Sequence, residues 1–222
     1  WNDLQIRFNG PIVKSVIHSF AKSYQMCGGK DKKILIYRDK KNIFEKTKIW
    51  FLEHQQIGNR GFIKKHYQNR FGNAKEKIII ITPYFVPRRW FVGTLHQAIL
   101  RGVNVEIILP QHTDHWIFDR FNYFYISKLC HVGIKFYLQK EMNHAKAILI
   151  DGIEGVVGSQ NIDPFYNFEA GVFFNDEKMA RDLEKIIEDW RKNSFIFNPE
   201  IYKKKWFDYI FALIGRILQI IF

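Results

Sequence analysis

The chain predicts an α/β fold, with a mixed, largely parallel sheet flanked by helices. Apolar runs at residues 78–82, 103–109 and 134–138 have strand length, and helical patterns at 90–101 and 117–131 stand between them. Gly102 and Gly133 sit where those helices would stop. Hydrophobic residues make up 47% of the 222 positions, with 21 Phe, which allows one sizeable core.

The elements follow in order. Residues 1–8 alternate as a short strand, and Gly10-Pro11 turns into an amphipathic helix over 12–24 with Val13, Val16, Ile17 and Phe20 on one face. Residues 27–48 form a Gly- and Lys-rich connector with a candidate strand at 34–37. A strand is expected at 49–52, a helix at 61–74 and a buried strand at 78–82. Beyond the strand–helix repeats, a strand over 147–150 leads through the turn Asp151-Gly152 to a return at Val156 and Val157. Residues 172–174 add a strand, and 178–192 a helix with Ala180, Leu183, Ile186, Ile187 and Trp190 turned inward.

Chemistry concentrates around the 147–150 strand. His144 and Lys146 are two apart and share one face. Ser159 and Asn161, after Gly158, are two apart on the returning segment. An imidazole, an ammonium, a hydroxyl and a carboxamide are the groups needed to attack and hold a phosphate ester without a metal. An attacking imidazole needs an acceptor on its other nitrogen to fix its tautomer. Asp151 falls on the opposite face from Lys146 and reads as the anchor of its turn.

The order His144-x-Lys146, Asp151, Gly158-Ser159-x-Asn161 resembles the signature of the phospholipase D superfamily. The runs Thr82-Pro-Tyr-Phe-Val-Pro87 and Arg101-Gly-Val-Asn-Val-Glu-Ile-Ile-Leu-Pro110 look like the second catalytic half of bacterial cardiolipin synthases. Thr113-Asp-His115 and Asn167-Phe-Glu169 match as well, although Asn161 to Glu169 is about three residues shorter than that family usually has. The resemblance implies one phospholipase D-like catalytic half of a pseudo-twofold pair. Residues 1–26 would be the tail of a first half, 27–198 the second half, and 199–222 a basic-apolar helix on the membrane surface.

That resemblance also implies roles. His144, Lys146, Asp151 and Glu169 would be catalytic, with Glu169 orienting His144. Lys146, Ser159 and Asn161 would hold the phosphate, and Tyr84, Phe85 and His115 would rim the pocket. No cofactor and no metal are implied. The activity would be phosphatidyl transfer through a phosphohistidine, on anionic phospholipid, at the cytoplasmic side of a bacterial cell membrane. No second His-x-Lys occurs in the chain. A second catalytic half would therefore come from an upstream segment or from a homodimer partner. Two alternatives stand beside this: a phospholipase D or nuclease-type phosphodiesterase working as a homodimer with water, and a catalytically incomplete remnant that binds membrane.

The remaining features set bounds. A net charge of +12 favours anionic partners, whether nucleic acid, phospholipid headgroups or a membrane surface, and does not choose among them. Cys27 and Cys130 lie far apart with no metal-type spacing and read as reduced, cytosol-facing thiols. A metal reading of His112, Asp114 and His115 lacks a third histidine at ligand spacing. His18, His54, His66, His96 and His131 carry no motif. The tail over 206–222 is nearly all apolar, shorter than the ~20 residues of a spanning helix, and follows Lys203, Lys204 and Lys205. Ile210, Phe211, Ile214, Leu218 and Ile221 share a face that would lie on a bilayer or pack on the domain.

Overall fold

The computed structural model describes residues 1–38, 48–54, 60–163 and 169–200, and in the tail Ile210, Phe211, Leu213 and Ile214. At its centre β2 (Lys77–Ile81), β3 (Asn104–Pro110) and β4 (Lys135–Gln139) pair in parallel. Two crossovers, α4 (Arg89–Leu100) and α5 (Trp116–Leu129), make that possible. On the other side of β2, β5 (Ala147–Ile150), β6 (Glu154–Gly158) and β7 (Glu169–Asn175) run antiparallel to their neighbours. One edge is β1 (Ile49–His54) against β7, the other β8 (Ser194–Ile196) against β4, both antiparallel. The order in this eight-stranded sheet is β1-β7-β6-β5-β2-β3-β4-β8.

The sheet is mixed and helix-flanked as expected, but its parallel pairing is confined to β2, β3 and β4. The physical reason is connection chemistry. Parallel neighbours need a long crossover, whereas the Asp151-Gly152 turn can only send β6 back alongside β5. Asp151 and Gly152 both adopt positive φ there, at 51° and 67°.

Residues of β2 alternate between two cores. Ile78 and Ile80 join Phe71 of α3 (Arg60–Asn73), Leu95 of α4 and Tyr125 of α5 on one face. Ile79 and Ile81 join Leu149, with Leu183 and Ile187 of α6 (Glu177–Lys192), on the other. Burial on both sides explains why 78–81 reads as an unbroken apolar run.

Two local readings are corrected. Residues 34–37 do not form a strand: α2 (Lys32–Leu35) stands there, started by the Asp31 side chain accepting from the Lys33 amide at 2.9 Å. The alternation over 1–8 is real, since Leu4 and Ile6 pack on the second core, but the recorded β pairing is a single bridge, Asn2 to Asn143. α1 (Ile12–Met26) follows and packs on α2 and β1.

In the tail, Phe211 meets Trp116 and Phe121 edge-on, with ring centroids 6.5 and 5.2 Å away. Ile210 and Ile214 of the same expected face are exposed, and Leu218, Ile221 and Asn167 lie outside the described residues. Among the described residues no helix is long and apolar enough to cross a membrane.

Candidate active site

The segment before β5 is held by main-chain and amide bonds. The Asn2 amide donates to Met142 O at 2.7 Å, and the His144 amide to Asn2 O at 2.7 Å. Asn143 is buried; its Nδ2 donates to Gln139 Oε1 at 2.7 Å and its Oδ1 accepts from the Ala145 amide at 2.9 Å. The backbone on either side of His144 is thereby fixed before any substrate arrives.

The His144 ring stands between a carboxylate and an ammonium. Its Nδ1 lies 3.7 Å from Asp3 Oδ2, and its Nε2 lies 2.9 Å from Lys146 Nζ. Trp1 and Tyr84 enclose the ring, with centroids 5.4 and 6.3 Å away. A charged ammonium can only donate to Nε2, which places the imidazole proton on Nδ1, toward Asp3. Lys146 also donates to the His144 carbonyl at 2.6 Å. Burial lowers its pKa from the ordinary lysine value, against the upward pull of Asp3, Glu169, Asp114 and Asp163.

Tyr84 reaches this point from the end of β2. Its hydroxyl donates to Asp114, and its ring stacks on Phe118 at 4.2 Å. Burial, then the Asp114 hydrogen bond, pushes the phenol well above its usual pKa, so it stays a donor. The loop carrying it is clamped by Asn122 of α5, which accepts from the Phe85 amide and donates to Pro83 O, both at 2.8 Å. The exposed His115 ring lies 6.3 Å from Tyr84. Tyr84, itself largely buried, and the exposed His115 thus lie near the His144 ring. Phe85 is not at the rim expected for it: it is fully buried, edge-on to Tyr125 and Phe136, because its turn of the chain faces the first core.

The returning segment holds Ser159, Asn161 and Glu169. Ser159 Oγ donates to the Glu169 carboxylate and accepts from the Ala170 amide at 3.0 Å. Gly158 is a geometric necessity, since a Cβ there would come within 2.5 Å of Ala170 O. Asn161 Oδ1 is buried without a hydrogen-bond partner, although burial ordinarily demands one. Lys146, Gly158, Gln160, Ile162, Glu169 and Phe173 are among the residues that line one slot.

Glu169 was expected to orient His144; it is recorded on Ser159, and the carboxylate facing Nδ1 is Asp3. The family resemblance implied Glu169; Asp3 is remote along the chain, and the Asn2 bridge brings its strip beside the site. Asp151 is not at the site. It stands beyond the opposite end of β5 from His144, where its carboxylate accepts from the amides of Lys75, Glu76 and Lys77, each at 2.9 Å. Burial pushes that carboxyl up, but the three amides and the Lys75 charge outweigh it and hold the pKa below the ordinary value. Asn122 and Asn143 were missed; an amide inside the apolar helix of α5 was the available signal for the first.

His112 and His115 lie by different carboxylates, Asp119 at 3.4 Å and Asp114 at 3.9 Å. Among the described residues no group of three or more His, Cys, Asp or Glu side chains could hold a metal ion.

Comparison with known proteins fits this geometry. The chain is 29% identical over 217 residues to cardiolipin synthase A of Serratia proteamaculans (strain 568), covering 93% of this chain and 44% of that protein. It therefore spans less than half the length of the curated relatives it matches. Among solved structures, phosphatidylserine synthase of Haemophilus influenzae Rd KW20 aligns with a TM-score of 0.61 at 17% identity, over 76% of this chain and 45% of that one. Nuc, a phospholipase D family member from Salmonella typhimurium, aligns with a TM-score of 0.53 at 19% identity, over 68% of this chain and 97% of that one. The family described as "Cardiolipin synthase, PLD-like domain" matches residues 67–190, a span that runs from buried Tyr67 into α6 and takes in His144, Lys146 and Glu169, and the chain belongs to that family.

Proposed function

We propose that this chain is one catalytic half of a phosphatidyltransferase of cardiolipin synthase type, acting through a phosphohistidine. The observation that carries the reading is His144 Nε2 facing Lys146 Nζ while Nδ1 faces Asp3. Nε2 keeps its lone pair and attacks phosphorus; the P–O bond to the leaving alcohol breaks; a second imidazole supplies the alcohol's proton. The acceptor hydroxyl then attacks phosphorus, returns its proton to that second imidazole, and frees Nε2. Lys146 neutralises charge on the non-bridging oxygens, Asn161 and Ser159 offer neutral donors, and Asp3 holds the tautomer. The second imidazole belongs to a partner half, from a further segment or a twin copy. The working place is the surface of an anionic membrane.

The test is trapping by rapid denaturation in alkaline detergent with phosphatidylglycerol labelled at phosphorus, on the chain assembled with its partner half or as a homodimer. An acid-labile, base-stable adduct absent from His144→Ala is expected. Turnover with no such adduct on the chain would overturn this assignment. The net charge of +12 equally fits a second reading, phosphodiester hydrolysis of nucleic acid, and single-stranded DNA in the same assay separates the two.

A further inference from the structure

Carboxylates repel phosphate, yet the charges of Asp3, Glu169, Asp114 and Asp163 all reach the Lys146 ammonium. Two of these groups have recorded duties at the site: Asp3 faces Nδ1 of His144, and Glu169 accepts from Ser159. Asp114 is arranged differently. Its Oδ1 accepts from the Tyr84 hydroxyl, and the Tyr84 ring lies edge-on to His144 at 6.3 Å, so one phenol stands between this carboxylate and the imidazole. Its Oδ2 lies 3.9 Å from Nε2 of His115. That separation is too long for a hydrogen bond, and it suits one oxygen atom placed about 2.8 Å from each. The Asp114 side chain is 30% exposed and that of His115 66%, so an occupant can enter from solvent. Both residues are held from behind: Tyr84 stacks on Phe118 at 4.2 Å, and Thr113 Oγ1 donates to the His115 carbonyl at 2.7 Å.

The gap has the character of a hydroxyl site. A carboxylate accepts, an imidazole nitrogen donates or accepts with its tautomer, and a hydroxyl answers both from one atom. A phosphodiester oxygen has no proton to give Asp114. Building on the phosphatidyl-transfer reading above, we propose that Asp114 and His115 set the alcohol specificity of the site, by holding an unreacted hydroxyl of the polyol headgroup. The leaving alcohol and the acceptor alcohol share one position, because each in turn stands opposite Nε2 across the same phosphorus. The link from phosphorus to the held hydroxyl has to pass one phenol ring, a length that two or three carbons supply. Water and simple alcohols carry no second hydroxyl and gain nothing from the pair. Asp114 and His115 touch no bond that forms or breaks; they select which alcohol is held.

The test compares glycerol phosphate with n-propyl phosphate, soluble analogues that differ only in hydroxyls. Binding to the full chain is followed by calorimetry and by the nitrogen-15 signals of His115, with no turnover needed. Glycerol phosphate is expected to bind about tenfold tighter and to shift those signals, as a hydrogen bond to a charged group does. Asp114→Asn keeps an acceptor for the Tyr84 hydroxyl, and His115→Ala changes an exposed side chain. In both variants the two analogues should bind equally, with an unchanged near-ultraviolet circular dichroism spectrum. Equal affinities in the parent, as a water-filled gap would give, or no binding of either analogue, would overturn the proposal. So would a preference for glycerol phosphate that survives both substitutions. In the assembled enzyme, the split of phosphatidyl product between added glycerol and propan-1-ol should move toward propan-1-ol in Asp114→Asn, and an unaltered split would equally overturn it. A hydroxyl preference lost in both variants, in a protein whose wild-type form makes no phosphohistidine, would sink the catalytic reading and leave this subsite standing.

Discussion

The carboxylate of Asp3 faces Nδ1 of His144 at 3.7 Å across 141 positions of sequence. With the proton on Nδ1 toward Asp3, Nε2, which accepts from Lys146, is the nitrogen that carries the lone pair. Asp3→Asn should keep the fold, since Asp3 is on the surface, and lower turnover of the assembled enzyme at least about tenfold by releasing the tautomer. Nitrogen-15 spectra of His144 give an independent check: the Nδ1-protonated form should lose its dominance. Glu169→Gln should leave those spectra unchanged, because its carboxylate is engaged by Ser159.

Lys146→Ala should cost about 3–4 kcal/mol of transition-state stabilisation, the scale of a lost oxyanion donor. Lys146→Arg should recover little, because a planar guanidinium does not reproduce a compact ammonium between Nε2 and the His144 carbonyl. Single-turnover rates on phosphatidylglycerol measure both; a near-normal rate in Lys146→Ala would remove the residue from the chemistry.

Asp151→Ala should destabilise the fold by roughly 2–3 kcal/mol, because three amides at the start of β2 lose their charged acceptor. The aspartate's folded pKa is depressed, so its contribution is present above the unfolded carboxyl pKa and disappears as pH falls through the folded value. Urea midpoints at pH 7 and pH 3 should differ less in the variant than in the parent. Equal stability of variant and parent at pH 7 would contradict the anchoring role.

His66 gives stability a second pH dependence. Burial first, and the neighbouring Arg70 second, lower its pKa from 6.5 to about 4. Its ring accepts from Arg70 Nε at 2.9 Å and meets Phe173 edge-on at 4.6 Å. Below pH 6.5 the unfolded chain takes up a proton that the native ring refuses, so stability falls as pH drops toward 4. In His66→Gln the thermal midpoint should vary less over that window; an identical slope would show that other groups control it.

Asn122→Leu should loosen the Tyr84 loop, since the Phe85 amide and Pro83 carbonyl would be left buried without their partner. A loss of about 2–3 kcal/mol is expected. Weaker Tyr84 packing on Phe118 should appear as a near-ultraviolet circular dichroism change.

How much of this was legible in sequence depended on range. The strands β2, β3 and β5 were readable because apolar runs and glycine stops are local, and His144 with Lys146 because a two-residue spacing fixes a shared face. Phe85 misled because an aromatic beside a site motif looks the same whether it turns to the mouth or to Tyr125 and Phe136. The parallel content was overestimated because pairing direction is set by connections, which strand composition does not encode. Asp3 was invisible as a partner of His144 because the bridge joining Asn2 to Asn143 spans nearly two thirds of the chain.

That bridge also makes the N-terminal strip sensitive to length more than to composition. The bonds locking Asn2 beside Met142 and His144 are main-chain bonds, indifferent to most side chains. Substitutions along the strip can accumulate while the imidazole keeps its partner. Losing or gaining one residue between Asn2 and Leu4 cannot be absorbed in the same way, because side chains alternate along an extended strip and the carboxylate would swing to the wrong face. Spacing, not identity, is the quantity this part of the chain must conserve.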